Sequence, residues 1–303
     1  MNEQNEANVL RQTGGERAST RLRRIFTRKG RPVMHVASAT SAYAARMIEK
    51  AGFEYIFLGG DVTFGSMLAM PGTYLTMTEK IFVAKFFVRA VNIPVAMDCD
   101  EICGRGPAFL ERAVEEYMAI GLAGMDVDDR IFPQGRGAAN VDREHGIRMG
   151  VVPTDEMVEK LEAADAVRKA ADPDFVIRVR CYDFHGSVPL AKTIERLKRY
   201  EDAGADVLYL GGVANPEDTR KVLAEMRVPC TVPATWMTYD LAKDLGLCEY
   251  RQPYEMEMAM HSAGWEFLAD FQKRGNAAVS DLRERYKGNP YMAPAGQLRT
   301  NII

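Results

Sequence analysis

The sequence predicts an α/β chain folded as a single-domain (β/α)8 TIM barrel. Three observations carry this. Eight short apolar runs recur at roughly 30-residue spacing, each followed by a helical pattern, which is the signature of parallel βαβ units. The runs are continuously apolar rather than alternating, as strands covered on both faces should be. No GxGxxG loop follows the first run, which disfavours an open dinucleotide-binding sheet. A chain of 303 residues with 47% hydrophobic and 27% charged residues can bury one large core.

Residues 1–20 are polar and carry Gly14-Gly15, and they read as an N-terminal arm. The barrel is expected over 21–275, with 276–303 as a C-terminal helix and tail at a subunit contact. An arginine-rich helix is expected at Thr20–Thr27. Strand one is Val33–Ala37, and the helix Ser41–Ala51 ends at Gly52, a C-cap signal. Strand two is Tyr55–Leu58, followed by a loop over 61–76. Thr78 is the expected N-cap of the helix Glu79–Val91. Strand three starts at Pro94 and ends in Asp98-Cys99-Asp100, and its helix is Pro107–Ile120.

Strand four, Met125–Val127, leads into Asp128-Asp129-Arg130, and a glycine-rich loop at 133–137 follows. A helix from Thr154 to about Ala171, strand five at Phe175–Arg180 and a helix at Pro189–Ala203 come next. Strand six is Val207–Leu210, ending in Gly211-Gly212. The helix Pro216–Met226 has proline in its first turn. Strand seven is Val228–Val232, with a helix at Thr238–Leu245. Strand eight is Leu247–Gln252, and Pro253–Gln272 is the last barrel helix.

The formal net charge of −3 gives no footprint for nucleic acid or an acidic membrane. No apolar run reaches the roughly 18 residues of a membrane span. The first residues, Met1-Asn-Glu-Gln-Asn-Glu6, lack the basic and apolar regions of a secretory signal. The five cysteines, at 99, 103, 181, 230 and 248, are odd in number, and three sit in or at the ends of strands. That suits buried or site-lining thiols in a reducing, cytoplasmic setting. Cys99 and Cys103 have no second pair or nearby histidine to complete a zinc site.

Barrels of this kind place their chemistry at the C-terminal ends of the strands. Those ends read Ala37-Ser38, Gly59-Gly60-Asp61, Asp98 with Asp100, Asp128-Asp129-Arg130, Arg180, Gly211-Gly212, Ala234-Thr235 and Arg251. Asp98 and Asp100 are two apart and share one side of an extended strand. Two converging carboxylates repel unless a cation or a proton sits between them. A divalent cation and an anionic substrate are therefore expected at these ends; the alternative is a pair of solvated loop aspartates at strand ends that are merely polar.

Several segments, in order, resemble the isocitrate lyase/phosphoenolpyruvate mutase superfamily. They are Ser41-Ala42 with Ala51-Gly52-Phe53, Leu75-Thr76 with Glu79, Asp98-Cys99-Asp100 with Gly104, Ile120–Arg130, Val179-Arg180 and Ala203–Asp206. The resemblance covers residues from about 20 to 270. It implies a barrel, a homotetramer whose last helices swap between subunits, and Mg2+ or Mn2+ holding a 2-oxo acid or its enolate. It implies Asp98 as the inner metal ligand, with Asp100 and Asp128 behind metal-bound waters. Arg180 would hold the carboxylate or oxo group, and the Gly59-Gly60 backbone, beside Asp61, would cradle the carboxylate.

The expected activity is metal-dependent C–C cleavage of a small 2-oxo or 2-hydroxy carboxylic acid, through an enolate the cation stabilises. Decarboxylation or phosphonopyruvate-type P–C cleavage is the alternative, and a non-catalytic ligand-binding paralogue is the rival from another class. The departures shape this expectation. Where the lyases carry lysine, cysteine and histidine, this chain has Gln134, Arg136 and Ala138. The strand-six glutamate falls at Gly211, the strand-seven asparagine near Pro233, the strand-five aspartate at Tyr182, and a proline-aspartate pair at Pro71-Gly72. Without the cysteine acid, Arg136 is a candidate for gripping a second anionic group, and His185 for acid–base work or substrate contact. His35, inside a strand, reads as a core residue, Cys181 as packing, and Arg130 as a neutraliser of the acidic pair. Met256, Met258, Met260, Trp265, Phe267 and Leu268 mark the last helix as a buried or subunit-contact element.

Overall fold

The computed structural model describes residues 15–35, 39–99, 106–131, 150–184, 188–252 and 254–292. Eight strands form one parallel sheet: β1 (Val33–His35), β2 (Ile56–Leu58), β3 (Val95–Cys99), β4 (Gly124–Asp128), β5 (Val176–Cys181), β6 (Val207–Leu210), β7 (Cys230–Thr231) and β8 (Glu249–Arg251). The spatial order is β1-β8-β7-β6-β5-β4-β3-β2, so β2 to β8 lie side by side in sequence order and β1 bonds to β8. That curled order is the (β/α)8 barrel the spacing predicts. The chain divides into two compact units, 1–253 and 254–303.

The barrel helices are α1 (Ala18–Thr27), α2 (Ala42–Lys50), α3 (Met77–Ala90), α4 (Pro107–Ala119), α5 (Thr154–Ala171), α6 (Leu190–Asp202), α7 (Pro216–Leu223) and α8 (Tyr239–Leu245). The second unit holds α9 (Glu255–Arg274) and α10 (Asn276–Arg285).

The N-terminal end of the barrel is closed by α1. Its Leu22, Ile25 and Phe26 recur at helical spacing, on one face. They pack with Val33, Tyr55, Phe57, Ala96, Ala123, Val176, Val207 and Cys248, most of them at the starts of strands. Polar pins hold the helix there. Ser19 donates to Asp172 at 2.7 Å, Thr20 to Asp174 at 2.6 Å, and Arg23 meets Asp206 at 2.7 Å. Helix α1 plugs this end, and sites of such barrels lie at the opposite, C-terminal mouth.

Two expectations are corrected. The helix α3 is capped by Thr76, not Thr78. Thr76 accepts from the Glu79 amide and Glu79 reaches back to the Thr76 amide, a reciprocal capping box that Thr78 cannot make with this spacing. The stretch 61–76 is not an open loop. It winds through a wide turn at Gly60–Gly65, a short helical turn at Ser66–Leu68 and a 3-10 turn at Gly72–Tyr74. Its tightness explains one departure from the family pattern. A Cβ on Gly72 would lie 1.8 Å from the Gly60 carbonyl oxygen, so an aspartate there would displace the turn that begins at the β2 mouth.

Candidate active site

Charge runs through the barrel interior in two tiers. The alternation of strand side chains builds both. Asp126 and Asp128 share one face of β4, as do Arg178 and Arg180 on β5 and Glu249 and Arg251 on β8. Register then sets Asp98 beside Asp126, Asp126 beside Arg178, and Asp128 beside Arg180.

The lower tier is a buried, hydrogen-bonded ion network. Arg178 is 2% exposed and donates to Asp126 and to Glu249, each at 2.7 Å. Tyr55 donates its hydroxyl to the other Glu249 oxygen. Burial works against the Arg178 charge, but Asp126 and Glu249 more than offset it and hold its pKa well above the usual value. Sequence reasoning assigns Arg178, Asp126 and Glu249 no role. The signal was present: three apolar strands each carry two ionisable residues at i and i+2.

The upper tier lies at the mouth. Asp98, 5% exposed at the end of β3, accepts from Arg180 at 2.6 Å and from the Gly60 amide at 2.8 Å. The structure thus brings Gly60, Asp98 and Arg180 together. Burial opposes the Arg180 charge, Asp98 outweighs it, and the guanidinium stays protonated. Gly59 is buried at the end of β2, and Asp61 is half-buried in the turn that follows. Asp128 is held differently. The Arg130 backbone donates to it at 2.8 Å, and the Arg130 guanidinium folds back onto both carboxylate oxygens. Asp100, Arg136 and His185 lie outside the described residues, and so does the side chain of His35.

Tyr182 supports that fold-back. Its ring lies 4.0 Å below the Arg130 guanidinium carbon, a cation–π contact. It occupies space that Gly211 leaves open: a Cβ on Gly211 would come 2.5 Å from a Tyr182 ring carbon. Two departures from the family pattern, tyrosine at 182 and glycine at 211, are therefore one structural change. Gly211→Ala is expected to push the ring off Arg130 and cost about 1–3 kcal/mol, the usual price of overpacking. Chemical denaturation measures this. A variant as stable as wild type would show that the ring moves without loss.

Asp129 faces away from this pair. It accepts from the Tyr182 amide at 2.9 Å and the Tyr200 hydroxyl at 3.1 Å, and Arg196 donates to Tyr200 at 2.8 Å. Burial first, and the neighbouring Asp128 charge second, push its carboxyl up to about 7. The ordinary value is 3.8. Between the two, the folded chain holds a proton that the unfolded chain has lost, so this group subtracts stability as pH rises through that window. Asp129→Asn cannot titrate and is expected to lose that slope. Urea midpoints from about pH 4 to about pH 8 check it, and parallel curves for the two proteins would contradict it.

The carboxylates at the mouth are hard oxygen donors of the right kind for a divalent cation. Asp98 fits, because its partner Arg180 can turn to a substrate anion. Asp128 fits only if Arg130 leaves it. Among the described residues no group of three His, Cys, Asp or Glu side chains is gathered for a metal. Cys181, Cys230 and Cys248 are free and buried, and Cys99 is buried. Burial, and Asp129 second, raise the Cys181 thiol well above its ordinary value, so it packs rather than attacks.

Comparison with known proteins agrees with this architecture. The family model for phosphoenolpyruvate phosphomutase matches residues 22–247. A probable 2-methylisocitrate lyase of Corynebacterium glutamicum is 34% identical over 198 residues, which are 65% of this chain and 61% of that protein. An oxaloacetate decarboxylase of Rhodopseudomonas palustris is 33% identical over 217 residues, covering 70% of this chain and 68% of its own. The chain thus spans less than two thirds of the length of the Corynebacterium relative. Among solved structures, a phosphoenolpyruvate phosphomutase from Streptomyces platensis subsp. rosaceus superposes with a TM-score of 0.76 at 25% identity, covering 93% of this chain and 94% of the other. A 2,3-dimethylmalate lyase shares the fold with a TM-score of 0.71 at 22% identity, over 86% of this chain and 88% of its own. The chain belongs to the phosphoenolpyruvate phosphomutase family, within the isocitrate lyase/phosphoenolpyruvate mutase superfamily.

Proposed function

We propose that the protein is a metal-dependent lyase that cleaves a C–C bond in a small 2-oxo or 2-hydroxy carboxylic acid. The observation that carries this is the Asp98–Arg180 pair at the mouth, 2.6 Å apart and oriented by the Gly60 amide. It joins a carboxylate suited to a cation with a guanidinium suited to a carboxylate. When bound, Mg2+ or Mn2+ supplies positive charge for the enolate-like transition state of such a cleavage. Asp98 would be its ligand, with Asp100 and, were Arg130 to leave it, Asp128 as further oxygen donors. Arg180 exchanges Asp98 for the substrate carboxylate, so both charges stay paired through binding. Gly59, Gly60 and Asp61 form the β2 wall of the pocket, and Arg136 and His185 are further candidates for contact with the acid.

Decarboxylation of a 2-oxo acid is the second reading. It is favoured by the run at 133–138, which lacks the cysteine acid, and by the decarboxylase among the relatives. We infer a homotetramer in the cytoplasm. Helix α9 supports the assembly: no residue of it is buried, and Trp265 is 73% and Leu268 60% exposed. No helix among the described residues is long and apolar enough to cross a membrane. The test is Mg2+ titration of wild type and Asp98→Ala, followed by a panel of 2-oxo and 2-hydroxy acids. Metal binding and turnover that both vanish in the variant support the reading. Turnover that survives it would sink the mechanism.

A further inference from the structure

One residue holds both oxygens of Asp128. The Arg130 amide and Nε reach Oδ1 at 2.8 and 3.0 Å, while Nε at 2.9 Å and Nη2 reach Oδ2. The pair is enclosed, with the Arg130 side chain 5% and the Asp128 side chain 2% exposed. A guanidinium keeps its charge across the pH range of a folded protein, so Arg130 does not let go by losing a proton. It lets go only if its side chain turns.

The backbones on either side of the contact are fixed. Arg130 forms an antiparallel bridge with Val151, the Ile131 amide donates to the Gly150 carbonyl at 2.7 Å, and the Val152 amide donates to the Asp129 carbonyl at 2.8 Å. The Tyr182 amide donates to Asp129 Oδ1 at 2.9 Å. Ring and guanidinium therefore meet from anchored main chains, and Arg130 can turn away by its own side-chain torsions. The Tyr182 ring opposes that turn. It lies 4.0 Å from the guanidinium carbon, seated where Gly211 has no Cβ. Turning would leave the backbone amide on Oδ1 and release Oδ2.

We propose that Arg130 is an internal cation that competes with the divalent metal for Asp128, and that the Tyr182 ring sets how strongly it competes. The proposal rests on the metal-dependent reading of the same mouth. Arg130 is then a positioning residue, which acts through Asp128 and not on the acid. A metal that uses Asp128 meets a site open in only a fraction of molecules, and its apparent affinity falls by that fraction.

The experiment is Mn2+ titration, followed by calorimetry and by the paramagnetic resonance of free Mn2+. Arg130→Gln should bind Mn2+ roughly 10- to 100-fold more tightly than wild type, as for a site open in about 1–10% of wild-type molecules. Loss of a nearby positive charge would also tighten binding, so two variants keep that charge. Tyr182→Leu removes the ring and should tighten binding by roughly 3- to 30-fold, the worth of one enclosed cation–π contact. Arg130→Lys removes the fork that spans both oxygens and should also bind more tightly than wild type. In the Arg130→Gln background, Tyr182→Leu should add nothing, because the two residues act as one unit. Equal affinity in wild type and all variants, or tightening in Arg130→Gln alone, would overturn the proposal and leave the lyase reading intact. Mn2+ binding that Asp98→Ala leaves unchanged, or no binding by any of the proteins, would remove the metal-dependent reading and the competition with it.

Discussion

Asp98→Ala is expected to lower turnover at least roughly 1,000-fold, the scale of losing a principal electrostatic group of a reaction centre. It should also cost stability, because Arg180 then keeps a buried positive charge with no carboxylate on it. Removing one partner of a buried pair costs about 3–5 kcal/mol. The two effects can be separated. Asp98→Asn keeps the shape and an oxygen for the Gly60 amide, so it should recover part of the stability and none of the turnover. Steady-state assay with equilibrium denaturation checks both. Activity that recovers along with stability in Asp98→Asn would mean that Asp98 is a scaffold residue, not a charge that acts on the cation or substrate.

Arg178→Met is expected to be the most destabilising single change in the barrel interior. It strips the hydrogen-bonded cation from two buried carboxylates at once, Asp126 and Glu249. At about 3–5 kcal/mol per broken buried pair, and 2–4 °C per kcal/mol for a large domain, the midpoint of thermal unfolding should fall by at least about 10 °C. A triple change, Arg178→Met with Asp126→Asn and Glu249→Gln, removes the uncompensated charges and should recover most of that loss. Calorimetric scans of wild type and the two variants decide it. If the triple variant is no more stable than Arg178→Met, packing around Phe26 and Phe57 matters more than the ion network. Arg178 lies two residues before Arg180 on the same face of β5, and Asp126 pairs in register with Asp98, so this network adjoins both mouth residues.

Strand spacing made the barrel readable, and strand ends made the mouth readable. Asp98, Arg180 and Gly60 meet there because each closes or follows a strand of one parallel sheet, a consequence of topology that local sequence already carries. What local sequence does not carry is the contact between distant departures. Tyr182 and Gly211 each read as a missing family residue. Only the fold shows one ring filling the space of the absent side chain and holding Arg130 on Asp128. The neutralising role expected for Arg130 agrees with its geometry, but the completeness of its grip on Asp128 depends on that long-range support. The cap of α3 was misplaced by two residues for a smaller reason. Thr76 and Thr78 are both N-cap residues by type, and the partner Glu79 selects the one three positions before it. Gly72 in turn reads as a lost aspartate until the Gly60 carbonyl is placed against it.

The central claim is that Asp98 anchors a divalent cation while Arg180 holds the acid. The most direct test is a crystal grown with Mn2+ and malate and measured at the manganese absorption edge. The account predicts one anomalous peak within about 2.2 Å of an Asp98 oxygen, the coordination distance of a small hard cation, with a malate carboxylate on Arg180. No peak at the mouth, with Arg180 still bonded to Asp98, would contradict it.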